Sequence, residues 1–193
     1  MNIISKDEEV KTAILEAAKR VFQKWGLNKT TMEDIAHEAG KGKSTLYYYY
    51  KSKDEIFEVL ATTELASIIN RAKILVREEK SAKEKLRKYI TLVLNDIKKT
   101  TSIYPLVKGE IKGNREVIDK LRKQIDIIEE KAIAEILKDG LKSGEFNFLR
   151  EDQIEKAANV ISGIIRGLEL YLFLDNDDSE KIDMVTRIIS EGI

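Results

Sequence analysis

The sequence predicts an all-α fold, and three observations support this prediction. Its 193 residues include a single proline, Pro105, and Ala, Leu, Ile, Glu and Lys dominate the composition. Apolar residues recur at spacings of three and four in successive segments, as the buried face of an amphipathic helix requires. A hydrophobic content of 42% is sufficient for a substantial core.

Composition excludes several functional classes. Charged residues make up 35% of the chain and cancel formally, so net charge does not indicate a polyanionic partner. The absence of cysteine excludes disulfides, thiolate zinc sites and cysteine nucleophiles, and a single histidine, His37, leaves no expected metal site. No signal peptide and no apolar run of about 20 residues is apparent. We therefore expect a cytoplasmic chain without a membrane partner or a cofactor.

The N-terminal part shows three helices that lead into a longer one. The first carries an apolar stripe from Val10 to Phe22 and is expected to end at Gly26. Thr31 and Asp34 form a capping box for a very short second helix, and Gly40 permits a tight turn after it. A third helix begins near Gly42 or Lys43 and runs to Tyr50. Another capping box, Ser52 with Glu55, opens the fourth helix.

The C-terminal part continues with longer helices. Ser81 and Glu84 cap a helix that carries Tyr89 and Val93, and a further pattern runs from about Asn114 to between Gly140 and Gly144. A helix from about Glu151 to Leu174 follows, and a last amphipathic helix begins after Asp177 or Asp178.

The helix from Glu151 to Leu174 has two apolar faces, which must be covered on two sides. One face is expected to meet the chain's own core and the other a second copy, because Gly163 and Gly167 permit close approach. The alternative is that both faces are internal core. The residues predicted for a homodimer interface are Val160, Gly163, Gly167, Leu170, Leu174, Val185 and Ile189.

The segment from Lys41 to Lys53 concentrates positive charge in this formally neutral chain. It contains four lysines and no acidic residue, together with Ser44, Thr45 and four consecutive tyrosines. Lysines neutralise phosphates, hydroxyl groups bond phosphate oxygens, and aromatic side chains contact thymine methyl groups. A helix, a glycine turn and a second helix form the layout that places the second helix in a DNA major groove. The segment therefore predicts binding to double-stranded DNA.

Helical phase divides the residues of the third helix into two sets. Leu46 and Tyr50 lie four residues apart and are expected to face the core, and packing is an alternative role for Tyr49. The residues expected to face DNA are Lys43, Ser44, Tyr47 and Tyr48.

The run Thr30–Ala36, the pair Ala39–Gly40 and the run Lys43–Glu55 resemble the TetR family of bacterial repressors, and Phe22 and Gly26 match the end of its first helix. The resemblance covers about Glu8 to Ile68. It implies about nine helices in two domains, a helix-turn-helix DNA-binding domain at 8–68 with its motif at 31–50 and an effector-binding and dimerisation domain at 69–193. It implies a repressor that binds a palindromic operator as a dimer and is released by a small molecule.

The resemblance also assigns roles to individual residues. Thr31 and Tyr47 are implied to contact phosphate, Tyr48 to reach bases, and Lys53 to hold phosphate. The DNA-binding set predicted from both lines of reasoning is Thr31, Gly42, Lys43, Ser44, Thr45, Tyr47, Tyr48, Tyr49 and Lys53. Lys41 and Gly42 depart from the family pattern, so the third helix is expected to lack a hydroxyl cap.

A small-molecule effector is expected among the central helices, and the types of residue there favour a hydrophobic or aromatic compound. Ordinary packing or surface roles are the alternative for each of these residues. The predicted effector-binding set is Tyr89, Val93, Tyr104, Leu106, Ile125, Phe148, Arg166 and Tyr171.

The alternatives to a DNA-binding regulator are a nucleotide-binding protein, another kind of enzyme and an architectural DNA-binding protein. Gly42-Lys43-Ser44-Thr45 imitates the end of a phosphate-binding loop, but position 37 is histidine rather than glycine and no strand precedes it. No nucleophile, base or carboxylate pair stands out, so we predict no catalytic residue and no enzyme. An architectural DNA-binding protein without an effector remains the alternative, because the same N-terminal half would serve it.

Overall fold

A computed structural model describes residues 5–103, 110, 115–174 and 184–188. The regular secondary structure in these residues is helical, which confirms the all-α prediction, and part of the predicted set of about nine helices falls outside these ranges. The helices are α1 (Lys6–Lys29), α2 (Met32–Glu38), α3 (Lys43–Tyr49), α4 (Lys53–Leu75), α5 (Ala82–Ile103), α6 (Arg115–Ser143) and α7 (Ile154–Leu174). A 3-10 turn (Glu151–Gln153) precedes α7, and residues 184–188 are helical.

The chain divides into two compact units. The first consists of Met1–Thr63 with Ser102–Leu121, and the second of Glu64–Thr101 with Arg122–Ile193. Each unit therefore includes residues from distant parts of the sequence.

The core of the first unit holds α1 to α3 and the start of α4 together. Phe22 of α1 meets Phe57 of α4 edge to face, with ring centroids 5.7 Å apart. Leu46 is fully buried in the same core and fixes the position of α3. The other buried members of the cluster include Ile14, Val21, Met32, Ile35 and Ile56.

Side-chain caps define the starts of the helices. Ser5 and Glu8 form a capping box at α1, which places its start at Lys6, ahead of the predicted stripe. The capping box predicted at Thr31 and Asp34 is confirmed at α2. The hydroxyl groups of Ser52 and Ser81 accept hydrogen bonds from the amides of Glu55 and Glu84 at 3.2 and 3.0 Å, as predicted for α4 and α5.

Helix α1 does not end at Gly26, as the sequence predicted, but kinks there and continues to Lys29. Gly26 has φ 78° and ψ 174°. This positive φ favours glycine, and a Cβ atom at this position would lie 2.7 Å from Oε1 of Glu110, whose carboxylate would have to move.

Two distant side chains hold the segment after the kink. The amides of Leu27 and Asn28 donate to the Glu110 carboxylate, at 3.1 Å for Asn28. The Lys53 ammonium donates to the carbonyl oxygens of Leu27, Asn28 and Thr30 at 2.7, 3.0 and 2.8 Å. These bonds satisfy backbone groups that the interrupted helix leaves without partners.

The core of the second unit is formed by α5, α6, α7 and the end of α4. Its largest fully buried side chains include Tyr89, Leu86, Ile90, Leu94, Ile133, Leu137 and Phe146. Phe146 packs against Gly140, where a Cβ atom would lie 2.1 Å from Cδ2 of its ring. Packing therefore requires glycine at position 140, inside α6. The helix ends at Ser143, within the range from Gly140 to Gly144 that the sequence predicted.

Candidate nucleic-acid interface

The turn between α2 and α3 has the geometry that the sequence predicted. The amide of Ala39 donates to the carbonyl oxygen of Ile35 at 2.9 Å, and the amide of Lys41 donates to the carbonyl oxygen of Ala36 at 2.9 Å. These two hydrogen bonds close the end of α2. Gly40 has φ 60°, a left-handed conformation that reverses the chain within a few residues. Gly42 is the N-cap residue of α3 and makes no side-chain hydrogen bond to the helix. This agrees with the prediction that α3 lacks a hydroxyl cap.

Helix α3 presents the predicted outward face. Leu46 and Tyr50 are buried, whereas the side chains of Lys43 and Ser44 are exposed. Tyr47 is 47% exposed and Tyr48 is 78% exposed, which is unusual for aromatic side chains unless a partner covers them. The exposed side chains lie on an anchored helix and are free to meet a partner.

Lys43 is held by two neighbours on the surface of the first unit. Its ammonium forms an ion pair with Glu33 of α2 and lies 5.8 Å from the centroid of the Tyr47 ring. The hydrogen bond between the two side chains lowers the pKa of Glu33 and raises that of Lys43. A phosphate would compete with Glu33 for this lysine.

Tyr48 is positioned through Tyr49. The Tyr49 hydroxyl donates a hydrogen bond of 2.7 Å to the carboxylate of Asp7 in α1, which raises the pKa of the phenol. The two rings meet edge to face with centroids 4.9 Å apart. Sequence reasoning missed Asp7, because it lies 42 residues from Tyr49 and no local pattern joins them.

The remaining residues of the predicted DNA-binding set have local roles in the structure. The Thr31 hydroxyl accepts from the Asp34 amide at 3.2 Å and donates to the Asp34 carboxylate at 2.7 Å. Lys53 holds the three carbonyl groups at the end of α1, and Thr45 is half-buried. These bonds explain the position of each residue without a nucleic acid.

The residues predicted for effector binding are not all placed together. Tyr89, Val93 and Ile125 are buried in the core of the second unit. Phe148 is 54% exposed and meets the ring of Phe146 edge to face, and the guanidinium of Arg166 pairs with Asp126 at 2.5 Å. Tyr104, Leu106 and the side chain of Tyr171 lie outside the described residues.

The second face of α7 is not covered by any of the described residues at the positions that can be compared. Val160 is 60% exposed, and a Cβ atom added at Gly163 or Gly167 would have no neighbour within 4 Å in the part of the chain that the structure describes. Val185 is half-buried against the core of the second unit. The side chains of Leu170 and Leu174, and Ile189, lie outside the described residues.

A cluster of polar side chains in the second unit, which we call the Glu129 cluster, includes Tyr89 and Arg166 from the predicted effector-binding set, but sequence reasoning missed its buried glutamates. Glu129 and Glu169 are only 2% and 4% exposed. Both lie in phase with apolar stripes, since Glu129 follows Ile125 by four residues and Glu169 follows Ile165 by four. This spacing was the sequence feature that could have indicated their burial. The cluster consists of Tyr89, Arg122, Asp126, Glu129, Ser162, Arg166 and Glu169.

The part of the chain that the structure describes contains neither a candidate membrane span nor a candidate metal site. No helix there is long and apolar enough to cross a membrane. The acidic side chains and His37 within the same ranges form no group of three placed to hold a metal ion.

Comparisons with known proteins agree with this geometry. The family model for bacterial regulatory proteins of the tetR family matches residues 14–60, and the model for the C-terminal region of QacR-like proteins matches residues 69–191. The HTH-type transcriptional regulator YhgD of Bacillus subtilis is 30% identical over 140 residues, which cover 69% of this chain and 70% of that protein. The HTH-type transcriptional regulator QacR of Staphylococcus aureus is 29% identical over 162 residues, covering 81% and 84%.

A solved structure shows the same fold. The transcriptional regulator FadR from Bacillus subtilis, in complex with stearoyl-CoA, superposes with a TM-score of 0.71 at 23% identity and covers 94% of this chain and 98% of that chain. The matched families and relatives are transcriptional regulators, and none of them is an enzyme. The two family models together span most of the sequence, and the chain therefore belongs to the TetR family of bacterial transcriptional regulators.

Proposed function

We propose that this regulator is a repressor that binds a palindromic operator as a homodimer and is released by a small-molecule effector in the cytoplasm. The outward face of α3 carries this proposal, because Lys43, Ser44, Tyr47 and Tyr48 stand exposed on a helix anchored by Leu46. Two copies would place these faces in successive major grooves about 34 Å apart.

In this proposal the domain at 8–68 binds DNA, and the domain at 69–193 binds the effector and forms the dimer. Within the first, Tyr48 reads bases while Lys43 and Tyr47 contact phosphates. Thr31 and Lys53 contact phosphate by exchanging their present hydrogen bonds, because the Lys53 ammonium donates to three carbonyl groups and the hydroxyl and amide of Thr31 donate to Asp34. The open face of α7 around Gly163 and Gly167 supports the proposed dimer interface.

Release by an effector follows from a difference in its affinity for two arrangements of the dimer. An effector that prefers the arrangement unsuited to DNA shifts the population towards it. A coupling free energy of about 1–3 kcal/mol would change operator affinity by about 5- to 150-fold.

A gel-shift titration with DNA from upstream of the neighbouring genes tests the repressor proposal. We expect retention of one fragment at salt concentrations where unrelated DNA of equal length is not retained. Tyr48→Ala is expected to change the base preference, and Gly163→Asp to give monomers with weak operator binding. Retention of all fragments with equal affinity would contradict the proposal.

The alternative is an architectural DNA-binding protein without an effector. Its signature is DNA binding that no small molecule reverses. Stearoyl-CoA and apolar aromatic compounds are the first compounds to add to the gel shift, and release of the fragment by any of them would exclude the alternative.

A further inference from the structure

We propose that the outward face of α6 binds an acidic helix of a partner protein. This face consists of Lys123, Ile127, Lys131, Ala134, Lys138 and Lys142, and we call it the lysine stripe. All of its residues lie in the second unit, whereas the predicted DNA-binding set lies in the first. The inference therefore goes beyond the proposed function.

Helical geometry places the residues of the lysine stripe on one side of α6. They follow one another at intervals of four, four, three, four and four residues, which keeps side chains on one face of an α-helix. At a rise of about 1.5 Å per residue, the stripe is about 28 Å long. Its lysines are all exposed, and Ala134 is half-buried. The stripe is therefore long enough to meet several turns of another helix.

The charges of α6 are divided between its sides. The acidic residues beside the stripe have partners on other helices. These pairs are Glu130 with Asn159 at 2.7 Å, Glu135 with Lys73 at 2.6 Å and Asp139 with Lys85 at 2.8 Å. The lysines of the stripe form no ion pair with a residue that the structure describes. Within this part of the chain, they are positive charges available to a partner.

The lysine stripe differs from a helix face that only meets water. Such a face usually mixes the two signs of charge, because ion pairs along the helix then stabilise it. The exposed face of α1 is mixed in this way, with Glu16 and Arg20 four residues apart. In the stripe, Lys138 and Lys142 lie four residues apart, and like charges at this spacing repel each other. A negatively charged partner would relieve this repulsion.

Ile127 supplies an apolar contact within the lysine stripe. Its side chain is 57% exposed, and Lys123 and Lys131 lie one turn before and one turn after it. Ala134 is small, so a larger apolar side chain of a facing helix can pack over it. An apolar centre with charged residues around it is a common composition of protein interfaces.

These properties favour an acidic helix over other partners that would neutralise lysines. A DNA backbone offers phosphates but no apolar group for Ile127. Anionic membranes bind helices with a broad apolar face, whereas most apolar side chains of α6 pack in the core of the second unit. A second copy that presented the same stripe would set lysines against lysines. A helix with carboxylates on both sides of an apolar row matches the charge and the apolar centre together.

Fluorescence anisotropy of the full chain with two labelled peptides tests the proposal. The first peptide is three repeats of Leu-Ala-Ala-Glu-Glu-Ala-Ala, which places each leucine between glutamates on one helix face. The second is three repeats of Ala-Ala-Leu-Glu-Glu-Ala-Ala, which keeps composition and charge but moves the leucines to the opposite face. At about 50 mM salt we expect the first peptide to bind at least about fivefold more tightly, and its affinity should fall as salt is added.

Variants assign the binding to the lysine stripe. In the stripe variant its four lysines become glutamine, and the first peptide should bind at least about tenfold more weakly. Ile127→Ser should weaken binding of the first peptide by about fivefold and hardly affect the second.

The control variant has the same net charge as the stripe variant. It replaces exposed lysines outside the stripe by glutamine, at Lys6, Lys11, Lys29 and Lys80. We expect its affinity for the first peptide to stay within about twofold of the wild type, because distant charges are screened. A melting curve for each variant shows that it is folded. Equal affinity for the two peptides, no binding of either at millimolar concentration, or equal losses in the stripe and control variants would overturn the inference.

Three measurements examine the other occupants, and we expect no difference between the wild type and the stripe variant in any of them. A loss of about three to four units from the salt slope of binding to unrelated duplex DNA, in the stripe variant alone, would reassign the stripe to nucleic acid. Stripe-dependent binding to phosphatidylserine vesicles would reassign it to a membrane. A wild-type assembly larger in light scattering than that of the stripe variant would reassign it to a second copy.

Discussion

The outward face of α3 and the Glu129 cluster place charged and aromatic side chains in opposite environments. On α3 the pair of Lys43 with Glu33 is exposed, and water solvates both partners. In the cluster, Glu129 and Glu169 are removed from water. Exposed pairs contribute little to stability and exchange partners readily, whereas buried charges depend strongly on every neighbour. The charges on α3 can therefore exchange partners with a polyanion, whereas the charges of the Glu129 cluster are fixed by the side chains around them.

The largest effect is expected from Arg122→Met. Loss of the guanidinium leaves Glu169 buried without its cation, and the free energy of unfolding should fall by about 3–5 kcal/mol. Urea unfolding followed by circular dichroism measures this change. The double variant Arg122→Met, Glu169→Leu should recover most of the loss, and a single variant as stable as the wild type would show that the cluster is not sensitive to its neighbours.

A smaller effect is expected from the titration of Glu129. Because burial raises its pKa from 4.5 to about 7, the folded protein keeps a proton that the unfolded chain has released between these values. The stabilisation is complete below about pH 4.5 and is lost as the pH rises through 7, with a total of about 3 kcal/mol. Unfolding of the wild type and of Glu129→Gln across this range measures the difference. Parallel profiles for the two proteins would contradict the raised pKa.

For Lys43→Ala the effect should appear in DNA binding and hardly in stability. The free energy of unfolding is expected to change little, because the ion pair with Glu33 is exposed. The salt dependence of operator binding should lose about one unit of slope. Lys142→Ala, an exposed change in the second unit, serves as the control. Glu33→Gln should tighten DNA binding, and a weaker complex would argue against competition between Glu33 and phosphate.

The smallest effect is expected from Tyr49→Phe. This change removes the exposed hydrogen bond to Asp7 and keeps the ring against Tyr48, so stability should fall only slightly. Operator binding should become less selective for bases, with an unchanged salt slope, because Tyr48 loses its orientation. Binding to a panel of mutated operators measures selectivity. Asp7→Ala should reproduce the result, and different behaviour of the two variants would separate Tyr49 from Asp7.

Local patterns predicted the parts of the fold that depend on neighbours in sequence. The cap at Thr31, the turn at Gly40 and the burial of Leu46 and Tyr50 follow from residue type and helical phase, and the structure confirms each of them. The exposure of Lys43 and Tyr48 follows from the same phase.

Features that depend on tertiary contacts were not predictable in the same way. The continuation of α1 beyond Gly26 depends on Glu110, whose carboxylate meets an amide 83 residues away. The ion pairs of the Glu129 cluster join residues on different helices or far apart in sequence: Arg166 pairs with Asp126, and Arg122 pairs with Glu169. The two acids within apolar stripes indicated buried charge, and only the packing of α6 against α7 identifies their partners.

The kink at Gly26 has a consequence for hydrogen exchange. The amide protons of Leu27 and Asn28 point at Glu110 rather than at a carbonyl of α1. Their exchange with solvent deuterium therefore depends on a side chain that is distant in sequence, and not on fraying of the helix that contains them. The protection of the Leu27 and Asn28 amides therefore reports on whether the Glu110 carboxylate stays in place, and it can be followed without attaching a reporter group to the protein.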